Sequence, residues 1–230
     1  MCDRIERWEY GTVYRASRYP SYFTANLVQV GGDPHLSVDA LVTFADQALG
    51  GLTHRRIDFD WAPAAEPFRT EFAEHGFNST RLVWMYFDAP RPPEPGIRVA
   101  EVPYDAVDAL RIAWHQEDFP DHDASEFHAQ AREIRLAHVT RTLAVHEDSR
   151  PVGFAALDLG DDETEIGAVY VLPAYRGRGL GLALTQSAIR AAGDVEHLWI
   201  CADDEDRPKQ IYARLGFRPI ATTMELLRVP

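Results

Sequence analysis

The chain has only two cysteines in 230 residues, Cys2 and Cys201, too few for a disulfide framework. Cys2 lies at an end expected to fray. Cys201 falls in an apolar run that reads as a buried strand, where a thiol serves as a small core residue rather than a nucleophile or metal ligand. Long apolar runs are also missing, and none approaches the ~18 residues of a membrane span. The opening Met1-Cys2-Asp3-Arg4-Ile5-Glu6-Arg7 carries charge of both signs with no apolar stretch behind it, which speaks against a secretory leader. No segment has the composition of a disordered tail. Basic charge is scarce as well: 23 Lys and Arg against 36 Asp and Glu give a net charge of −13. That balance repels nucleic acid and anionic membranes and suits a small cationic partner. The expectation is a soluble, cytoplasmic chain, with 46% hydrophobic residues to fill one large core or two small ones.

Proline is concentrated at one place. Asp88-Ala89-Pro90-Arg91-Pro92-Pro93-Glu94-Pro95-Gly96 holds four prolines and continues neither strand nor helix, so residues 90–96 read as a linker between a lobe at 1–89 and a larger unit at 97–230. In the larger unit the pattern predicts a strand at 97–102, a helix at 105–118 and a helix at 124–139 capped by Asp123. Strands follow at 140–146, 151–159 and 164–172, then a helix at 179–192 with Leu180, Ala183, Leu184, Ala188 and Ala191 on one face. A strand from His197 to Ala202, a helix capped by Asp206 with Pro208 in its first turn, and a stop at Gly216 complete the pattern before a last strand.

The first lobe is strand-rich over 8–30, with a helix at 37–49, a strand at 54–60, a helix at 64–75 and a strand at 79–88. Phe72-Ala73-Glu74-His75-Gly76-Phe77 parallels Tyr212-Ala213-Arg214-Leu215-Gly216-Phe217. Each ends a helix that follows a strand opening with His (His54, His197) and precedes another strand. This is a degenerate internal repeat.

The chemistry concentrates in Ala168-Val169-Tyr170-Val171-Leu172-Pro173-Ala174-Tyr175-Arg176-Gly177-Arg178-Gly179-Leu180-Gly181-Leu182. A strand runs through a glycine-arginine turn straight into a helix, whose free N–H groups and dipole suit an anion such as a pyrophosphate. Gly177, Gly179 and Gly181 let phosphates approach the backbone, and Arg176 and Arg178 add charge. A nucleoside-triphosphate loop would end in Gly-Lys-Ser/Thr, which is absent. A dinucleotide turn would need glycine where Leu182 stands. Coenzyme A is the remaining phosphate reading.

Arg176-x-x-Gly179-x-Gly181 after a strand ending Val-x-Pro resembles motif A of the GNAT acetyltransferase superfamily, and Tyr212-x-x-x-Gly216-Phe217 is similar to its motif B. The resemblance spans the C-terminal half. It implies an α/β (α+β) fold: a mixed, mostly antiparallel sheet flanked by helices, here with a smaller degenerate GNAT-like half-repeat in front. It also implies acetyl-CoA as acyl donor, held by the backbone of Val169, Tyr170 and Val171 and by the turn Arg176, Gly177, Arg178, Gly179, Leu180, Gly181, Leu182. By the same resemblance Tyr212 is the general acid toward the departing thiolate. Glu165, eleven residues before Arg176, is the general base. On a period of two, Glu165 shares a face with Gly167, Val169 and Val171. The family's frequent asparagine seven residues before the tyrosine is Glu205 here.

The segment around Trp114, Asp118 and Asp121 borders the acceptor pocket in this family, and its carboxylates and indole suit an ammonium. No recognised metal-ligand spacing occurs there, so no metal is expected. The function expected is transfer of an acetyl group from acetyl-CoA to a primary amine on a small cationic molecule. Two alternatives stay open: a non-catalytic acyl-CoA-binding or regulatory module of the same fold, and a protein N-terminal or lysine acetyltransferase. Acyl length and oligomeric state are left open.

Overall fold

The computed structural model describes residues 1–229; Pro230, the end of the larger unit, lies outside them. In chain order the strands are β1 (Arg4–Trp8), β2 (Gly11–Arg15), β3 (Leu27–Val30), β4 (Arg55–Phe59), β5 (Asn78–Phe87), β6 (Val99–Val102), β7 (Thr140–Glu147), β8 (Arg150–Leu159), β9 (Glu163–Val171), β10 (His197–Asp203) and β11 (Phe217–Arg228). The helices are α1 (Val38–Ala48), α2 (Ala62–Ala65), α3 (Arg69–Glu74), α4 (Asp108–Asp118), α5 (Ser125–Ala137), α6 (Leu180–Ala191) and α7 (Pro208–Leu215). All eleven strands form one sheet in the order β1-β2-β3-β4-β11-β5-β10-β9-β8-β7-β6.

Local chemistry explains most boundaries. Ser37 caps α1 by accepting the Ala40 N–H at 3.3 Å, and Val38, Leu41, Val42 and Ala45 bury one helical face. The single helix expected over 64–75 is instead α2, a 3₁₀ turn at Glu66–Phe68 and α3. Pro67 interrupts it, because proline removes an N–H and crowds the preceding residue. The caps expected at Asp123 and Asp206 are displaced by one residue. Ala124 and Arg207 occupy the cap positions, while the two carboxylates accept the backbone N–H of Ser125 (3.0 Å) and of Arg207 (2.7 Å).

The repeat is visible in three dimensions. Gly76 and Gly216 both take positive φ, +80° and +106°, and turn the chain out of α3 and α7. Phe72 meets Phe77 edge-on at 5.9 Å, and Tyr212 meets Phe217 the same way at 6.2 Å. The final strands of the two units then cross over: β11 lies between β4 and β5, and β5 lies between β11 and β10. The antiparallel β5–β11 ladder runs from Phe217 opposite Phe87 to Leu227 opposite Asn78. Neither half closes its sheet without a strand from the other.

Three apolar layers cover this sheet. One packs Val30, Ile57, Phe59, Phe72, Phe77 and Met224 against α1. A second packs Leu157, Ile166, Ile200 and Phe217 against Leu184, Ala188 and Ile189 of α6. On the opposite face, Val107 and Leu110 at α4 cover Ala144, Phe154 and Tyr170. The loop before β3 reaches α5, where Gln130 accepts the N–H groups of Ser21 (2.9 Å) and Tyr22 (3.1 Å). Cys2 is half buried there, its thiol 3.6 Å from the Ala25 carbonyl.

Candidate active site

β9 and β10 run parallel and pair only from Glu163 opposite His197 to Ile166 opposite Ile200. On its other side β9 stays paired with β8 as far as Val171 opposite Gly153. The strands therefore part at Ile166 and Ile200, and the β10-facing edge of Ala168–Val171 has no strand partner among the described residues. Unpaired N–H and C=O groups in a row are a template for an extended ligand lying in the sheet.

The split leads to the glycine-arginine turn. Gly177 and Gly179 have φ of +78° and +79°, which side chains rarely tolerate, and Gly179 is the left-handed cap of α6. A Cβ built at Gly177 or Gly181 would meet nothing within 4 Å, and one at Gly179 only Ile97 at 3.8 Å. The turn is thus an open cradle beneath the free N–H groups of a twelve-residue helix. Leu182 is exposed and Leu180 half buried. Arg178 extends to Glu147 at 3.3 Å, and Arg176 donates to the Val171 carbonyl (2.9 Å) and to Glu117 (2.6 Å). The Tyr170 hydroxyl donates to the same Glu117, which ties α4 to the strand and the turn.

A bulge changes the facing of Glu165. Leu157 opposes Ile166 and Ala156 opposes Ala168, so Gly167 is an extra residue. Side-chain alternation reverses across it. Glu165 therefore does not share the face of Val169 and Val171, as a strict period of two implies; it shares that of Asp158, Ala168 and Tyr170. Burial, reinforced by Asp158 and opposed by Arg135, raises its carboxyl above the usual range. Tyr212 on α7 is 5% exposed, and burial, with Asp206 and Cys201 adding to it, raises its phenol far above ordinary tyrosine. Cys201 is pushed up to about 12 by burial, then by Glu165 and Glu225, so its thiol stays protonated.

Trp114 stacks on Tyr170 at 5.8 Å with the planes 12° apart, half buried against Phe154. Asp118 ends α4, and its carboxyl is raised by burial, then by Glu117 and Asp203. Asp121 is exposed in the turn between α4 and α5. Glu205 takes a bidentate grip on Arg69 from the first lobe, at 2.7 and 3.0 Å, and so joins the lobes where the family often has asparagine. Among the described residues no three His, Cys, Asp or Glu side chains are grouped to hold a metal ion. No helix among the described residues is long and apolar enough to cross a membrane.

Trp84 and Trp199 are not marked by any local pattern in the sequence, and Glu117 stands out there only as one carboxylate of the acidic segment that begins at Trp114. Trp199 shares a sheet face with Glu165 through the pairing of β10 with β9, and Trp84 joins them only because β5 is borrowed from the other half, which no local pattern reveals. Glu117 carried a signal in its place one helical turn after Trp114.

A strand parting from its parallel neighbour beside a glycine-lined helix start gives a mixed α/β fold in which an open strand edge leads into an anion cradle. Residues 104–217 match the acetyltransferase (GNAT) family. Over 108 residues the chain is 32% identical to an uncharacterized N-acetyltransferase of Mycobacterium bovis, covering 43% of this chain and 69% of that one. The fold is also similar to that of a functionally unknown conserved protein of Staphylococcus epidermidis, with TM-score 0.73 and 16% identity over 99% of this chain and 94% of that one. It is similar as well to a tandem GNAT protein from the clavulanic acid biosynthesis pathway, with TM-score 0.54 and 15% identity over 87% and 75%. The chain belongs to the GNAT acetyltransferase family and is an acyltransferase. The family generally uses acetyl-CoA as acyl donor.

Proposed function

We propose that this acyltransferase moves an acetyl group from acetyl-CoA to a primary amine on a small cationic molecule, by direct attack on the thioester. The observation that carries the donor assignment is the continuity of the open β9 edge with the glycine cradle at α6. The backbone of Val169, Tyr170 and Val171 takes the pantetheine arm. The turn from Arg176 to Leu182 takes the pyrophosphate, with Arg176 and Arg178 as counter-charges.

An amine with a lysine-like pKa is an ammonium at neutral pH, and deprotonating it costs about 4–5 kcal/mol. Glu165 serves as the base for that step, directly or through water. Its environment favours proton uptake, since burial and Asp158 disfavour its charge. Tyr212, held fully protonated by its surroundings, donates to the thiolate as it leaves. The protonated thiol of Cys201 is not a ready nucleophile, which favours direct attack over an acyl-enzyme. Asp118, with Trp114 and Asp121 on the same segment, lends negative charge on the acceptor side. A panel of amine acceptors assayed for free CoA release tests the reading. Release that depends on a cationic primary amine supports it, and release with none of the panel would overturn it.

A further inference from the structure

Glu165 and Trp199 are register partners one rung before the strands part at Ile166 and Ile200. Beside them lies a cavity of about 500 Å³, lined by Trp84, Trp199, Ile220, Asp158, Glu163 and Glu165 among others. This volume suits one small molecule. We propose that this cavity is the acceptor site, and that it selects an ammonium-bearing molecule whose apolar body lies against the indoles of Trp84 and Trp199 while its charge faces Glu163 and Glu165. The proposal deepens the acetyltransferase reading by naming the acceptor's class, and it rests on that reading only for the fate of the bound amine.

Register places the two indoles together. Trp84 opposes Cys201 and Trp199 opposes Tyr86, so the tryptophans are diagonal neighbours on one face of β5 and β10. Both are held in place: Trp84 donates its N–H to Thr223 at 3.2 Å, and Trp199 packs on Tyr86 at 5.0 Å. Anchored rings lose little freedom when a ligand arrives. Their π faces attract a cation and tolerate its methylenes.

Charge points the same way. Asp158 is neutralised by Arg135, whereas Glu163 and Glu165 make no ion pair among the described residues. A neutral or anionic ligand would leave both carboxylates uncompensated; an ammonium answers them. Trp84 and Ala221 lie on the two strands exchanged at the centre of the sheet. The N-terminal half thus supplies one wall of the acceptor site through β5, while holding no phosphate cradle of its own.

The test is equilibrium binding to the full chain by calorimetry, without acetyl-CoA, using three probes that share a benzyl group: benzylamine, its near-isostere benzyl alcohol, and the bulkier benzyltrimethylammonium. Both cations should bind, and the alcohol at least tenfold more weakly. Trp84→Leu and Trp199→Leu should each weaken the cations about three- to thirtyfold, the span from an exposed to a desolvated cation–π contact. Glu163→Gln, an exposed change that leaves packing untouched, should weaken only the cations. Benzyltrimethylammonium, which lacks an N–H to acylate, should compete with benzylamine in turnover at its own binding constant. Equal affinity for cation and alcohol would overturn the proposal. So would unaltered cation binding in both tryptophan variants, which would reduce the indoles to cover for the sheet. Binding as described with no CoA release would instead sink the acetyl-transfer reading and leave the cation site standing.

Discussion

Tyr212 and Phe72 occupy matching places in the repeat, each buried and each edge-on to the phenylalanine after a left-handed glycine. They differ by one oxygen, and only Tyr212 lies next to the split strands. Tyr212→Phe should therefore fold normally and bind acetyl-CoA as the wild type does, because the donor contacts come from β9 and the α6 turn. Its kcat should fall roughly 10²–10⁴-fold, the contribution of a positioned acid. Stopped assays of kcat beside calorimetric acetyl-CoA affinity check this, and an unchanged kcat would leave Tyr212 as packing alone. Glu165 makes a different prediction. Its folded pKa lies above the ordinary carboxylate value, and only the ionised form accepts a proton. Activity should thus decline, as pH falls, at a point higher than an exposed glutamate would give. Glu165→Gln should lower kcat and remove that limb of the profile; a variant with the parental pH–rate curve would return Glu165 to the role of a strand residue.

The α6 turn is the element whose sequence announced its geometry most directly. Positive φ at Gly177 and Gly179 follows from spacing that only glycine satisfies, and Gly181 keeps the cradle open. Gly179→Glu adds backbone strain, a side chain and a negative charge at one point. Acetyl-CoA binding should be lost in a variant that still folds, as calorimetry and circular dichroism would report together; retained affinity would move the pyrophosphate elsewhere. Other elements were less legible, for identifiable reasons. The helix at 64–75 carried apolar periodicity that Pro67 broke, since a period records which face is buried and not whether the ladder is continuous. The bulge at Gly167 reversed the facing of Glu165, and one glycine in a strand does not say which neighbour it will slip against. Trp84 falls in the strand expected at 79–88, where nothing local distinguishes it. Its meaning arises from pairing with β10, a strand more than a hundred residues away. Local chemistry was readable, then, and the strand exchange that brings Trp84 to Glu165 was not.

At the scale of the molecule, the exchanged strands make the two halves one folding unit, and the contact of the first half with α4 and α5 is unusually rich in histidine. His54, at the entry to β4, is 1% exposed and lies 6.0 Å from Phe23, which stacks on Phe127 of α5 at 4.4 Å. His115 of α4 is 7% exposed and pairs with His122 at 2.9 Å, with His128 5.2 Å away. Burial is the leading cause that depresses His54 and His115 to about 4; Asn26 opposes it at His54, and neighbouring histidines reinforce it at His115. The sign follows from proton counts. The unfolded chain binds protons at these imidazoles near pH 6.5 and the folded chain only near 4, so stability falls as pH drops through that window and levels off below it. Between pH 7 and pH 5 each imidazole should remove about 2 kcal/mol of stability, a large share for a domain of ordinary stability. Urea unfolding at the two pH values measures the difference. His54→Phe keeps a buried ring and removes the titration, so its loss of stability over the same interval should be smaller than the wild type's by about one imidazole's worth. Parallel pH profiles for the two proteins would show that the lobe contact is indifferent to protonation of His54.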